Sequence, residues 1–386
     1  MTSAHDAART LGTSLLRGAA LGLLLVAPAL AQGGRPDQVF VEGSTRKETG
    51  VVTQNGLDTV LIDKSGKERR VESARVERII WGQSSAAFRD GQADFARGDF
   101  ENAATKFATA ANEDERDVIK AVARRLSGES MLRLGASDAS QFQAALDEFD
   151  RYLSDYSDSR DVPRVRSLQA RSTLLRGNDG DAKAAGALYR SLFEAGTGAT
   201  ATEGYDRLDS LQAGVDAIKA LVAAGDTLGA REIRGVLTSE IGTLRATLEE
   251  TSPDLVLLDN IAAETQLAEG YVLLAGDQAK QAETFFKSQL AGAAEGQAAM
   301  RFGAIHGLGM AQAAQGKHRE ASIQFATVAS IDFTNRDRSA SALLELAKTM
   351  IALEDSGAAQ EARKRLTLVV ESFGDTPSAS AARKLL

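Results

Sequence analysis

A glycine, a small residue about five positions on, and a large apolar residue four further: this spacing recurs through most of the chain and restricts its folding more than any other feature. In "GKHREASIQFATVA" the three are Gly316, Ala321 and Phe325. A glycine just past a helix takes up the left-handed conformation that closes it. An aspartate following the glycine caps the next helix by accepting a backbone N–H. The tight turn then brings two antiparallel helices together. Close approach demands a small side chain at the crossing. A large apolar side chain one turn later lies on the same face and fills the space beyond. The spacing predicts a helical hairpin.

The hairpin repeats. Gly98-Asp99 leads to Ala103 and Phe107, Gly180-Asp181 to Ala185 and Tyr189, and Gly225-Asp226 to Ala230, where Arg234 replaces the large apolar residue. Gly276-Asp277 leads to Ala282 and Phe286 with one extra residue, and weaker copies centre on Ala145 with Phe149 and on Ala362 with Leu366. Successive alanines, from Ala103 to Ala362, lie 42, 40, 45, 52, 39 and 41 positions apart. A period near forty with one hairpin per unit predicts a mainly α fold: an α-solenoid of about seven helical hairpins over 84–386. Pro163, Pro253 and Pro377 each follow a long helical pattern and are expected to stop a helix there. The longest gap, Ala230 to Ala282, and the "GTGATATEG" stretch (196–204) mark either a break between two sub-arrays near 196–260 or a mobile loop.

These residues resemble the tetratricopeptide repeat (TPR). The sixth copy carries the likeness best: Ile305, Leu308 and Gly309 match the first helix, Gly316 the turn, and Ala321, Phe325 and Val328 the second helix. In the first copy Asp94 stands where the family usually has an aromatic residue. The long period and phrases such as "ALDEFDRYLSDYSDS" are similar to envelope TPR proteins associated with Tol–Pal and with outer-membrane protein assembly. The resemblance implies a protein that holds other proteins.

Two segments precede the array. Arg9 and Arg17, the apolar run 18–30 and the small residues Ala29 and Ala31 read as a signal peptide over 1–31, cut after Ala31; the other reading is an uncleaved anchor. The chain has no cysteine, so no disulfide and no lipid-bearing cysteine at the cut. The mature protein is expected to be periplasmic or secreted, and not a lipoprotein. Residues 37–82 contain five short Val/Ile/Thr-rich segments with Asn55-Gly56 and Ser65-Gly66 as turns, a pattern resembling the small antiparallel SH3-like or Sm-like β-barrels. Eight basic residues balance eight acidic ones there, and the chain's net charge is −8, which argues against nucleic acid as a partner.

No catalytic constellation emerges, so the chain reads as no enzyme, with no cofactor and no metal site. His306 and His318 lie in one predicted hairpin, where Glu320 would complete a metal site only if the turn brought all three together. The acidic runs 112–117 and 248–254 and the "GNDGD" stretch read as solvated joints and a turn. Trp81, the sole tryptophan, is expected to pack between the barrel and the first helix. The leading expectation is a periplasmic scaffold that holds envelope proteins in the solenoid groove, with Arg89, Gln92, Gln266, Glu269, Gln312 and Lys348 on that face by helix phase. The alternative is a module that binds peptidoglycan or polysaccharide through the barrel. After the signal is cut, no integral membrane segment is expected.

Overall fold

The structure is a computed structural model that describes residues 35–386 except 200, 355 and 356; the signal-peptide reading falls outside the described residues. Strands β1 (Asp37–Val41), β2 (Glu48–Asn55), β3 (Thr59–Lys64), β4 (Lys67–Glu72) and β5 (Val76–Ile80) form one antiparallel sheet in the order β4-β3-β2-β1-β5. Lys64 pairs with Lys67 across Ser65-Gly66, both at positive φ, the geometry of a two-residue hairpin.

The five strands fall where the sequence places them, but the expected barrel does not close. β4 and β5 are the two edges. The reason lies in β4: of its six side chains only Val71 is buried, so this polar strand faces solvent and has no apolar face to roll inward. The sheet covers its apolar face with helices instead. Val39, Val52, Val60, Ile62 and Val76 share one core with Trp81, Phe88, Phe107 and Ile119.

The helices are α1 (Ala86–Arg97), α2 (Phe100–Glu113), α3 (Asp117–Leu134), α4 (Gln141–Asp155), α5 (Val162–Arg176), α6 (Asp181–Ala195), α7 (Arg207–Ala223), α8 (Thr227–Arg245), α9 (Asp254–Ala275), α10 (Ala279–Gly292), α11 (Ala298–Ala313), α12 (His318–Ile331), α13 (Arg336–Leu353), α14 (Ala358–Ser372) and α15 (Pro377–Arg383). Each packs on the next. The odd-numbered helices also touch one another, α1 on α3, α3 on α5, and then α7 through α15 in series. Finally α15 returns to α5. Arg383 donates to the Ala136 carbonyl at 2.7 Å and Arg171 to the Asp375 carbonyl at 2.8 Å, so the array curls round until its end meets α5 and the turn after α3. The odd helices form the inner wall and the even ones the outside.

The turns follow the expected chemistry with two differences. Gly98, Gly225 and Gly316 are left-handed, and Asp99 and Asp226 accept backbone N–H bonds from Asn102 and Gly229. At 276–277 it is Asp277, at φ 59°, that takes the left-handed conformation; the extra residue in this repeat shifts the turn by one. Pro163, Pro253 and Pro377 start helices α5, α9 and α15; they do not stop the ones before. A first-turn proline loses no helical hydrogen bond, because its missing N–H would have had no partner. Across the 196–204 stretch α6 and α7 pack directly, and a single core runs from Ala170 to Val272.

The repeat positions Ala103, Phe107, Ala145, Phe149, Ala185, Tyr189, Ala230, Ala282, Phe286, Ala321, Phe325, Ala362 and Leu366 are all buried. What permits the approach is a glycine on the facing inner helix. A Cβ on Gly91 would sit 2.9 Å from the Phe107 ring, on Gly128 2.5 Å from Phe149, and on Gly309 2.8 Å from Phe325. On Gly270 it would lie only 2.3 Å from Phe286. The phenylalanine rests on bare backbone.

The sheet is tied to the helices by a buried ion pair. The Asp37 carboxylate is fully buried and accepts from the Val52 and Gly82 N–H groups and from Arg116, at 2.6 Å for Nη2. A second seam runs through the β2–β3 turn, where Leu57 donates to the Asp158 carbonyl at 2.6 Å.

Two glycine substitutions test the approach. Gly→Ala in a helix gains up to about 1 kcal/mol of propensity. At Gly128 that gain is outweighed by overpacking against the enclosed Phe149 ring, about 1–3 kcal/mol. G235A, on α8 with nothing within 4 Å of the added methyl, keeps the gain. Urea unfolding of the two variants should therefore give shifts of opposite sign.

Candidate functional site

The inner wall lines a half-open cavity of about 330 Å³ between α5 and α15. Every odd helix in that span contributes to it. Helix phase selects the lining: Asp216, Lys219 and Ala223 on α7; Glu264, Leu267, Ala268 and Tyr271 on α9; Gly303 and His306 on α11. On α9 and α11 these spacings of three, four and seven residues are the stripe of one helix face, while on α7 Val215, Ile218, Ala220 and Val222 line the cavity as well. Arg171 and Leu174 on α5, Tyr189 on α6, Asp337, Arg338 and Ser341 on α13 and Ser378 on α15 complete the wall.

The walls combine apolar side chains with a linked set of charges. Lys219 Nζ lies 2.8 Å from Glu264 and 3.7 Å from Asp216. Glu264 also accepts from Asn335 Nδ2 at 2.9 Å. Arg338 pairs with Asp332 at 2.6 Å, both nearly inaccessible. Arg171 stands 3.7 Å from Asp337 across the seam where α5 meets α13. About half of the Lys219 side chain is exposed, so its ammonium stands at the open side of the cavity.

Protonation follows from these neighbours. Burial works against the Lys219 ammonium, but Glu264 and Asp216 more than offset it, and the lysine pKa is raised. Burial likewise opposes the Glu264 carboxylate, yet Lys219 and its other donors hold its pKa below the usual value. Asp216 goes the other way: burial, reinforced by Glu264, raises its pKa against the pull of Lys219.

His306 joins the wall in a hydrogen-bonded chain. Tyr271 Oη is 3.0 Å from its Nδ1 and Ser341 Oγ 3.0 Å from its Nε2. Either neutral tautomer completes the chain, running in one direction or the other. Burial, with the Arg338 charge, lowers the His306 pKa to about 4. A serine, a histidine and a third orienting group are the parts of a nucleophilic site. Here the third group is a phenol, and so low a pKa makes a weak base. The chain accounts for how a histidine is buried with both ring nitrogens satisfied.

His318 and Glu320 do not join His306. His318 begins α12, and among the described residues no group of three or more His, Asp or Glu side chains is arranged to hold a metal ion. None of Arg89, Gln92, Gln266, Glu269, Gln312 and Lys348 lines the cavity. Glu269 turns outward to Arg234 on α8 at 2.8 Å, Gln266 to Gln289 on α10, and Gln312 is buried. The assumed phase on α9 was displaced by two residues, about 200° of rotation, which is enough to exchange inner and outer faces. Trp81 is buried in the core shared by the sheet and the first helices, with the Arg116 guanidinium 5.9 Å from its ring. Asp114, in the first acidic run, accepts from the Ser85 N–H and is buried; Asp181, in "GNDGD", pairs with Arg176 at 2.6 Å. A second hollow, an open trough of about 760 Å³, runs along α2 and the end of α3 past Glu101, Thr105 and Met131 to Gln141 at the start of α4. No helix among the described residues is long and apolar enough to cross a membrane.

The neutral His306 gives the fold a pH signature. The unfolded chain takes up a proton near 6.5, the folded one only near 4. Stability is therefore full above pH 6.5 and falls as pH drops toward 4, by about 3 kcal/mol at most. Urea unfolding between pH 7.5 and 5.5 should show this slope, and H306Q should flatten it; parallel slopes in the two proteins would refute the assignment. Compared with family models and with curated proteins, the chain matches none.

Proposed function

We propose that the protein is a non-enzymatic scaffold of the cell envelope, exported with its signal peptide removed, whose hairpins are TPR-like and make up one continuous α-solenoid that holds a partner protein. The observation that supports this reading is on the outer helices. Phe333 is 91% exposed, two residues past the end of α12, and Ile323 and Ile331 on that helix are 63% and 51% exposed. The two isoleucines lie within about a quarter turn of each other. Large apolar side chains exposed along one helix and the turn that follows it suit the docking of another protein.

In this reading the partner is held on the outside of the array, where these apolar side chains are exposed. The net charge of −8 gives the surface a mild preference for a basic partner.

The test is in-cell crosslinking of the mature chain, wild type against F333D. Replacing so exposed a side chain should shift the unfolding free energy by no more than about 0.5 kcal/mol, while the crosslinked partner is lost or much reduced. Equal recovery by the two proteins would remove Phe333 from the proposal, and recovery of no protein by either would end the scaffold reading.

A further inference from the structure

We infer that the cavity between α5 and α15 is a binding site for a small organic cation, a primary ammonium group carried on an apolar body. Six charged residues line it: Asp216, Glu264 and Asp337 against Arg171, Lys219 and Arg338. Arg338 is already neutralised from behind by Asp332 at 2.6 Å. That leaves three carboxylates facing two cations, one negative charge in excess. Lys219 is held by Glu264 at 2.8 Å, so Asp216 has only a share of that ammonium at 3.7 Å and one hydrogen bond, from Gln212 at 3.3 Å. Arg171 is held by the Asp375 carbonyl and stands 3.7 Å from Asp337.

A second, independent observation points to the same spot. The Tyr189 side chain lines the cavity and is only 5% exposed, yet among the described residues its hydroxyl makes no hydrogen bond. The charges that act on it are Asp216, Arg171 and Asp337. Its oxygen is not one of the inaccessible polar atoms, so a donor on a bound molecule can reach it. An ammonium placed here meets the Asp216 carboxylate, has the Tyr189 hydroxyl in the same wall as a further acceptor, and supplies the missing positive charge. The remaining walls, Leu174, Val215, Ile218, Leu267 and the Tyr271 ring, offer an apolar surface for the rest of the molecule. A ring face also attracts a cation. An anion would meet the excess negative charge, and a neutral molecule would leave it uncompensated.

The test is calorimetric titration of the mature protein with 2-phenylethylammonium chloride, and with phenylacetate and 2-phenylethanol as the anionic and neutral counterparts of the same size. We expect saturable binding of the cation alone. D216N, close in shape, should weaken it roughly tenfold or more, and Y189F about threefold. Circular dichroism establishes that each variant is folded; should D216N fail to fold, D337N takes its place with an expected loss of several-fold. No saturable binding of the cation, equal binding of the alcohol, preference for phenylacetate, or unchanged affinity in the folded variants would each overturn the proposal. It is independent of the scaffold reading, since F333D should bind the cation as the wild type does.

Discussion

A phenylalanine ring resting on bare helical backbone is the contact on which the architecture depends. Gly91 with Phe107, Gly128 with Phe149, Gly270 with Phe286 and Gly309 with Phe325 are the same arrangement at four places in the array. The glycine costs helix propensity, up to about 1 kcal/mol each. The buried ring contributes about 1.5–3 kcal/mol by leaving water. The exchange is favourable only while the ring stays enclosed, and each of these phenylalanines has no exposed surface. The alanine in each repeat is a companion to this contact: it keeps the outer helix slim where the two rods cross.

Curvature follows from a different contact. Odd helix touches odd helix, as where Gly303 on α11 meets Leu267 on α9, and with these contacts on one side the array bends until α15 reaches α5. The closing contacts are polar. Arg171, Arg383 and Lys384 donate to backbone carbonyls at 375, 136 and 177, which would otherwise be the unsatisfied ends of turns. Shape thus comes from apolar packing along the array and closure from hydrogen bonds across it.

Legibility in the sequence tracked the distance over which each feature is determined. The turns at Gly98, Gly225 and Gly316 and the five strands rest on neighbouring residues, and local chemistry reveals them. The partner of each repeat's phenylalanine is only partly visible: Gly309 stands out in the sixth copy, but nothing in the pattern shows that a missing Cβ, and not the alanine, bears the ring. The cavity was not visible at all. Lys219 and Glu264 are 45 residues apart, and Arg383 and its acceptor Ala136 are 247 apart. A charge on an inner face looks the same in sequence as one on an outer face, so two positions of phase on α9 put Gln266 and Glu269 where Glu264 and Leu267 belong. The barrel reading failed for a related reason. Strand count and turns are local, whereas closure depends on whether an edge strand has an apolar face, and β4 does not.

The seam at α5 connects closure to the cavity. Arg171 spans both: its guanidinium donates to the Asp375 carbonyl that helps hold the ring shut, and it faces Asp337, one of the carboxylates in the cavity wall. Asp337 stands in the first turn of α13, where the helix dipole favours a negative charge even without a close cation. A full ion pair there would tighten closure but cancel the field inside. At 3.7 Å the pair is loose, and its two members keep other partners: the Asp375 carbonyl for the arginine and the helix N-terminus for the aspartate. The ring is closed by neutral acceptors as much as by charge, which leaves the cavity its carboxylates.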